Sequence, residues 1–536
     1  MSNSVENHLN VFDYLVFALM LTISVIPVSF SLMASFLSAI TLLGVTAENY
    51  MFGTQFVAIN LSYILGAPIS AYIFLPVFYK LKVVSIFEYL EHRFDRRVRM
   101  VASIVFTSQM IIYMSIVLYA PALALSAVTS LSKWTAILSV GIVCTLYCTI
   151  GGIKAVIWTD LFQSFLMFTA MIIIIIKGTY DVGGVDVVWE RARLTDRLQL
   201  FNLDPNPMTR HTFWSLTIGG IFIYVSIYGV NQTQVQRLLT VRSLQKSQMA
   251  LLISWPITTL LALITAFTGL VIFANYWKCD PLMKKHITKS DQLLPYFVMD
   301  SLSSYPGLPG VIIAGIFSGA LSSVSSFVNS LAAVSLEDYV KLYFGNRLSQ
   351  KSETIITKCL ALFYGLLCVA LTVVADQMPG LLQASLTIFG VVGGPLLMLF
   401  TAGMCCPTCD SCGALIGFIV SLAVGFWLGF GNLLFGTKPV PLIQSIEDCP
   451  EIGFNSTQTQ QTAFNSEENS FSIYNLSYMW FSAFTWTIGL TVALIISKLN
   501  KSTKEVNQQL LTPFLRNESN SEQNDETMNR LKLTEI

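Results

Sequence analysis

Charge is scarce in this chain. Of 536 residues, 31 are basic and 31 acidic, a charged fraction of 12% against roughly 25% in an ordinary soluble domain. A water-soluble protein of this length needs far more charge to cover its surface. A nucleic-acid binder would carry a basic stripe, and a disordered chain would be poor in apolar residues, so these classes are excluded too. Histidine is nearly missing: His8, His92, His211 and His286 all lie outside the apolar runs. No GxxxxGK[ST], HExxH or GxSxG occurs, so the machinery of an ATP-driven pump or a membrane hydrolase is absent. No arginine ladder or TVGYG-like filter marks a gated channel. Neither enzymatic activity nor an organic cofactor is expected.

What is abundant is apolar sequence, 54% of the chain. A helix crossing the bilayer needs about 20 mainly apolar residues. Runs of that kind fall near 54–79, 100–127, 135–150, 156–177, 212–230, 249–274, 308–332, 355–376, 382–403, 412–435 and 478–498. They are continuous, as in Met171 to Ile176, where a β-barrel would alternate. The chain reads as an all-α polytopic membrane protein with 12–13 transmembrane helices. Residues 11–47 are apolar with only Asp13 charged, either a cramped hairpin or one long bent helix, with Pro27 as a candidate turn or kink. No basic segment precedes them, unlike a normal signal peptide.

The densest basic cluster, Lys80, Lys82, Arg93, Arg96, Arg97 and Arg99, places its loop in the cytoplasm. Alternation then puts 178–211, 275–306 and 436–477 outside. Two glycosylation sequons, at Asn455 and Asn475, fall in the last of these. Cys279 and Cys449 lie in separate outside loops and are candidates for a disulfide. Cys406, Cys409 and Cys412 have metal-like spacing, but with no histidine nearby they read as reduced thiols on a short inner turn. Residues 1–498 form the membrane domain, and 499–536 read as a disordered cytoplasmic tail open to cytoplasmic partners.

By elimination a secondary transporter remains, with a channel or a transport-dead sensor as competitors. The most informative stretch is Ser318 to Ser330. Ser318, Ser322, Ser325 and Asn329 recur at helical spacing on one face. Small residues let membrane helices approach closely, and Ser can bond back to its own helix. Six serines and an Asn in thirteen residues exceed what packing explains. A hard monovalent cation wants several neutral oxygens, and hydroxyls beside a freed carbonyl supply them. A second small polar stretch, Ser31 to Thr41, reads either as an ordinary span or as a helix broken near the midplane, where secondary transporters bind.

These residues resemble the sodium:solute symporter family, in its branch of sodium-coupled monocarboxylate, multivitamin and iodide carriers. The resemblance rests on Phe74 to Lys80, Phe87 to Glu91, Leu118 to Leu125, Gly151 to Asp160, Arg210 to Trp214, Tyr228 to Arg237, Tyr305 to Gly310, the serine helix ending in Glu337-Asp338, and Gly393 to Leu397. It implies a LeuT-like core of two inverted five-helix repeats, about 27–177 and 212–403, with flanking helices. It further implies a plasma-membrane symporter for sodium and a small organic anion, such as lactate, pyruvate, short-chain fatty acids or nicotinate.

Matching positions carry over a sodium site at the backbone oxygens of Ala34, Leu37 and Gly319 and the hydroxyls of Ser322 and Ser323. Asp160 matches an acidic residue of the inner sodium pathway, although an Asp near a helix start is also an N-cap candidate. Ser38, Thr41, Tyr113, Tyr224 and Leu386 match the solute pocket. Iodide carriers place Gln where Thr41 stands and an aromatic where Leu386 stands, which lowers that reading. Thr41 fits the monocarboxylate pattern, whereas Gln109 to Met114 and Asp376 to Pro379 lean toward the vitamin carriers. One departure favours a non-transporting or leak-type sensor: Ile23 to Ser29 runs straight on where the family has a cytoplasmic loop.

Overall fold

The computed structural model describes residues 25–500, apart from positions 130, 151–152, 345–347, 377, 379, 448 and 450–471, and then residues 506–516. Among the described residues all regular structure is helical, as hydrocarbon demands of a chain that must satisfy its own backbone groups. α1 (Ile26–Phe36) and α2 (Thr41–Phe52) are one span bent by 65°. α3 (Thr54–Leu81), the short α4 (Glu88–Arg93), α5 (Arg96–Val128), α6 (Lys133–Ile150) and α7 (Ile153–Val182) follow. α8 (Ser215–Tyr228) and α9 (Gln232–Leu238) form a second interrupted element. Then come α10 (Leu244–Tyr276), α11 (Leu308–Phe344), α12 (Gln350–Asp376), α13 (Leu381–Cys405), α14 (Ser411–Phe435) and α15 (Tyr478–Asn500). Among the described residues nine helices are long and apolar enough to cross a membrane, the bent pair makes a tenth, and α6 and α8 contribute shorter apolar segments.

The bend in the first span lies away from Pro27. That residue sits in the first turn of α1, where a missing N–H costs nothing. The break is at Leu37, whose ψ of 88° leaves the helix. Ser38 restarts it: its Oγ accepts from the Ile40 amide at 3.1 Å, an N-cap in miniature. Thr41 and Leu42 then donate to the Ser38 carbonyl at 3.0 and 3.3 Å. The second break is built alike, with the Asn231 side chain accepting from the Thr233 amide at 3.0 Å to start α9. What residues 1–24 add, including the choice between a hairpin and a single long helix, lies outside the described residues.

α11 runs through the middle, against α1, α5 and α7. Its small residues make this approach: a Cβ at Gly315 would stand 2.5 Å from the Ala170 methyl, and one at Gly319 3.0 Å from the Ala39 nitrogen at the break. At one end Cys279 and Cys449 are disulfide-bonded, their Cα atoms 5.1 Å apart. At the other, which the basic cluster assigns to the cytoplasm, Arg99 pairs with Asp338 at 2.5 Å and Glu91 at 2.6 Å. Arg93 donates to the carbonyls of Gly403, Cys406 and Cys409 at 2.9–3.1 Å, so the cysteine turn is fixed by an arginine fork. Among the described residues no group of three metal-binding side chains occurs.

Two expectations need correction. The serine span continues to Phe344 because a π-turn at Leu336–Val340 carries it past Glu337 and Asp338, whose charges are neutralised by Arg99 and Lys341. Residues 506–516, read as part of a disordered tail, instead fold against the cytoplasmic end with Gln509 to Thr512 buried. Two adjacent leucines give that stretch something to bury, which an average over the polar tail hides. Asn475 ends a short 3₁₀ turn, its Oδ1 accepting from the Thr437 amide at 3.0 Å. Asn455 lies outside the described residues.

Candidate functional site

The break in the first span faces the serine helix. Ser323 donates to the Ala34 carbonyl at 3.4 Å, and Gly319 closes on Ser38 and Ala39. Leu37, at the break itself, is buried. Ala34 and Ser323, and Gly319 and the Ser38–Ala39 backbone, thus meet where α1 and its break face α11. Ser322 turns toward α7, its Oγ donating to Asp160 Oδ1 at 2.6 Å. A hydroxyl that donates to a carboxylate keeps its lone pairs free and gains negative character. That suits it to face a cation.

Asp160 is not an N-cap. It lies in the second turn of α7, fully buried, and its other oxygen accepts from Ser31 Oγ at 2.6 Å and Arg237 Nη2 at 3.3 Å. Arg237 donates through Nε to Ser31 Oγ at 2.8 Å and also bonds Ser326. A buried carboxylate and guanidinium coexist at this depth because each is paired and hydrogen-bonded. Arg237, Ser31 and Ser326 lie in stretches the sequence singles out, but without a site role there. Arg237 lies in the connection 231–248 between two apolar runs, and nothing in its spacing says that α9 folds inward. Ser325 and Ser326 donate to the Ser322 carbonyl at 3.0 and 2.5 Å, back-bonding onto their own helix.

Beside the break opens a largely apolar cavity between α1, α2, α3, α5, α8, α10 and α13, the kind of lining that small-molecule sites have. Thr41, Tyr113, Tyr224 and Leu386 line it. Ser38 lies behind the wall, hydrogen-bonded to the Tyr113 hydroxyl. Its part is to cap α2 and fix that tyrosine. The remaining wall is aromatic: Phe36 meets Tyr228 and Phe389 edge-on at 5.9 and 5.8 Å, and Tyr224 stacks on Tyr228 at 4.4 Å. Asn60, Ser385 and the Tyr63 and Tyr228 hydroxyls add further polar groups, and among the described residues no charged side chain lines the cavity. Aromatic residues spread over five helices leave no local pattern, so this wall as a whole was invisible in the sequence.

Above the cavity the outer end is tied by Arg210, whose Nη2 reaches Glu48 Oε2 at 2.9 Å and whose Nη1 donates to Gln383 at 2.7 Å. His211 bonds the Tyr478 hydroxyl at 2.6 Å. Burial and the adjacent Arg210 push its pKa well below the ordinary histidine value, so it is neutral. These residues belong to the Arg210 to Trp214 segment already singled out.

The profile of the sodium:solute symporter family matches residues 21–421. The chain belongs to the sodium:solute symporter family. A Drosophila melanogaster protein provisionally named a sodium-dependent multivitamin transporter is 47% identical over 87% of this chain and 78% of its own. The human sodium-coupled monocarboxylate transporter 1 is 41% identical over 91% and 82%. The rabbit (Oryctolagus cuniculus) sodium-dependent multivitamin transporter is 42% identical over 88% and 76%. The structure of a Na⁺-coupled sialic acid symporter in a substrate-bound outward-open state superposes with a TM-score of 0.71 at 22% identity, covering 90% of this chain and 91% of that one. The fold is therefore the five-plus-five inverted repeat with flanking helices, and the sodium:solute symporter is a multi-pass membrane protein, not an enzyme, with Na⁺ as coupling ion.

Proposed function

We propose that this symporter couples Na⁺ to the uptake of small organic anions, foremost monocarboxylates, across the plasma membrane. The two repeats span about 27–177 and 212–403. Na⁺ sits on Ala34, Leu37, Gly319, Ser322 and Ser323, and leaves past Asp160. The solute occupies the cavity lined by Thr41, Tyr113, Tyr224 and Leu386, with Ser38 setting the Tyr113 hydroxyl. The observation that carries this reading is the neighbourhood of an oxygen-rich helix break and an uncharged, aromatic-walled cavity. A carboxylate there meets no arginine or lysine, so its charge is balanced by the bound Na⁺, the exposed start of α2 and hydroxyls. Binding of the anion is thereby tied to binding of the cation.

The energetics suffice. A tenfold Na⁺ gradient contributes about 1.4 kcal/mol, and one charge crossing a ~60 mV potential contributes about as much again. A monoanion moving with one Na⁺ forgoes the voltage part, so more than one Na⁺ per anion is favoured. A second reading, carriage of larger vitamin carboxylates such as biotin, draws on the multivitamin relatives. Uptake of labelled lactate, nicotinate and biotin, with and without Na⁺ and with surface labelling, separates the two. Na⁺-dependent lactate or nicotinate uptake is expected. A surface-expressed chain inert toward all three would defeat both readings.

A further inference from the structure

The short segment at residues 506–516 is compact by itself. The Asn507 side chain accepts from the Gln509 amide at 3.0 Å and starts a 3₁₀ turn at Gln508–Leu510. Pro513 starts a second at Pro513–Leu515. Arg516 closes the loop, donating to the carbonyls of Leu511 at 3.0 Å and Gln509 at 3.2 Å. This shape presents Gln509, Leu510, Leu511 and Thr512 to the membrane domain, where all four are buried.

It packs against the inner ends of α3 and α4, and two hydrogen bonds fix it to α4 and α13. The Tyr89 hydroxyl on α4 donates to the Leu510 carbonyl at 3.1 Å, and the Thr512 amide donates to the Met404 carbonyl at the end of α13, also at 3.1 Å. The α4 region is a hub of the inner face. Just before it, the Ile86 amide and Val84 carbonyl both bond the Gln232 side chain of α9 at 2.8 Å, and Ser85 donates to Asp338 of α11 at 2.9 Å. α9 carries Arg237, which with Ser326 and Asn329 lines a small cavity on the inner side of the sodium residues. Whatever moves α4 relative to α13 therefore moves the walls of that cavity.

We propose that residues 506–516 act as a cytoplasmic strap, tying α4 to α13 and holding the inner side of the symporter closed. The inference rests on the Na⁺-coupled uptake proposed above, which requires the site to open alternately to the two sides. Opening toward the cytoplasm must break the Tyr89–Leu510 and Met404–Thr512 bonds and bare Leu510 and Leu511. The strap thus sets how often the inner side opens, and through it the turnover of transport. Arg93 also links α4 to the 403–409 turn, so losing the strap raises the frequency of opening without freeing α4.

The test places a reporter cysteine by Asn329→Cys and measures its labelling by an impermeant thiol reagent in inside-out vesicles, in Na⁺ and without solute. The same chain lacking the reporter corrects for native cysteines. Leu510→Asp with Leu511→Asp is expected to speed labelling by at least about fivefold, and Tyr89→Phe by up to about fivefold, the worth of one ordinary hydrogen bond in an equilibrium. A synthetic 506–516 peptide added to the exposed cytoplasmic face should restore slow labelling, which a merely structural role would not allow. Should the double variant fail to reach the vesicles, Tyr89→Phe decides alone. Parental labelling rates in a variant present at equal amount would overturn the strap. Because no solute enters the assay, faster labelling in a chain without Na⁺-driven uptake would keep the strap and sink the symporter reading, and the converse would sink only the strap.

Discussion

The two halves of the site are built on opposite principles. On the sodium side, between α1, α7, α9 and α11, nearly every group is polar and paired: Ser322 and Ser31 on Asp160, Arg237 on Asp160 and Ser326, Ser323 on Ala34. On the solute side, Phe36, Tyr224, Tyr228 and Phe389 form a wall with few hydrogen-bonding groups. A small hard ion is selected by the number and placement of oxygens. An organic anion with an apolar body is selected by shape, with charge supplied by the ion next to it. The two sides meet at the break, where Leu37 and Thr41 line the cavity and Ala34 faces the serines.

If the sides are distinct, they should fail differently. The largest effect is expected on the polar side. Asp160→Ala leaves Arg237 buried without its partner and should destabilise the protein by about 3–5 kcal/mol, read as lost surface protein and a lowered melting temperature. Asp160→Ala combined with Arg237→Ala should recover part of that loss, since the stranded charge is gone. Equal stability of the single and double variants would break this account of the pair.

A comparable effect is expected at the outer lip. Asp291 is buried and accepts from the Leu381 amide at 3.2 Å, at the start of the helix that carries Ser385 and Leu386. Burial raises its pKa from 3.8 to about 6. The folded protein then holds a proton that the unfolded chain releases. Stability attributable to this group is present below pH 3.8, falls between that value and about 6, and stays low above. The two-unit difference corresponds to about 3 kcal/mol. Asp291→Asn should therefore raise the melting temperature at pH 8 and lose that advantage as pH drops toward 4. A constant offset across that range would contradict it.

The smallest effect belongs to the solute side. Thr41→Val keeps the shape and removes one hydroxyl from the cavity wall. It should raise the half-saturating solute concentration by about fivefold and leave the half-saturating Na⁺ concentration, measured at saturating solute, unchanged. A matching shift in both would mean that the sides are not separable at α2.

Legibility in the sequence followed the same division. Most spans could be placed to within a few residues because hydrocarbon thickness sets a common length, the serine span that runs on to Phe344 being the exception. The serine helix announced itself by helical spacing of oxygens, a local signal. Arg237 did not, because its burial depends on α9 folding inward after the break at Gly229 to Asn231, which the local sequence does not advertise. The aromatic wall was hidden because Phe36, Tyr63, Tyr228 and Phe389 come from four helices and each looks like ordinary membrane sequence. Leu510 and Leu511 were lost among the polar residues around them.

The central claim is that Na⁺ binds at the serine helix and that the aromatic cavity does not hold it. The most direct measurement is the thermal stabilisation of the purified protein by Na⁺, against K⁺ and choline, for the parent, Ser322→Ala and Thr41→Val. Loss of a hydroxyl ligand to a charged group is worth about 1.5–3 kcal/mol. Ser322→Ala should thus need roughly 10- to 100-fold more Na⁺ for the same shift, while Thr41→Val responds like the parent. An undiminished Na⁺ response in Ser322→Ala, or one lost equally in both variants, would contradict the account.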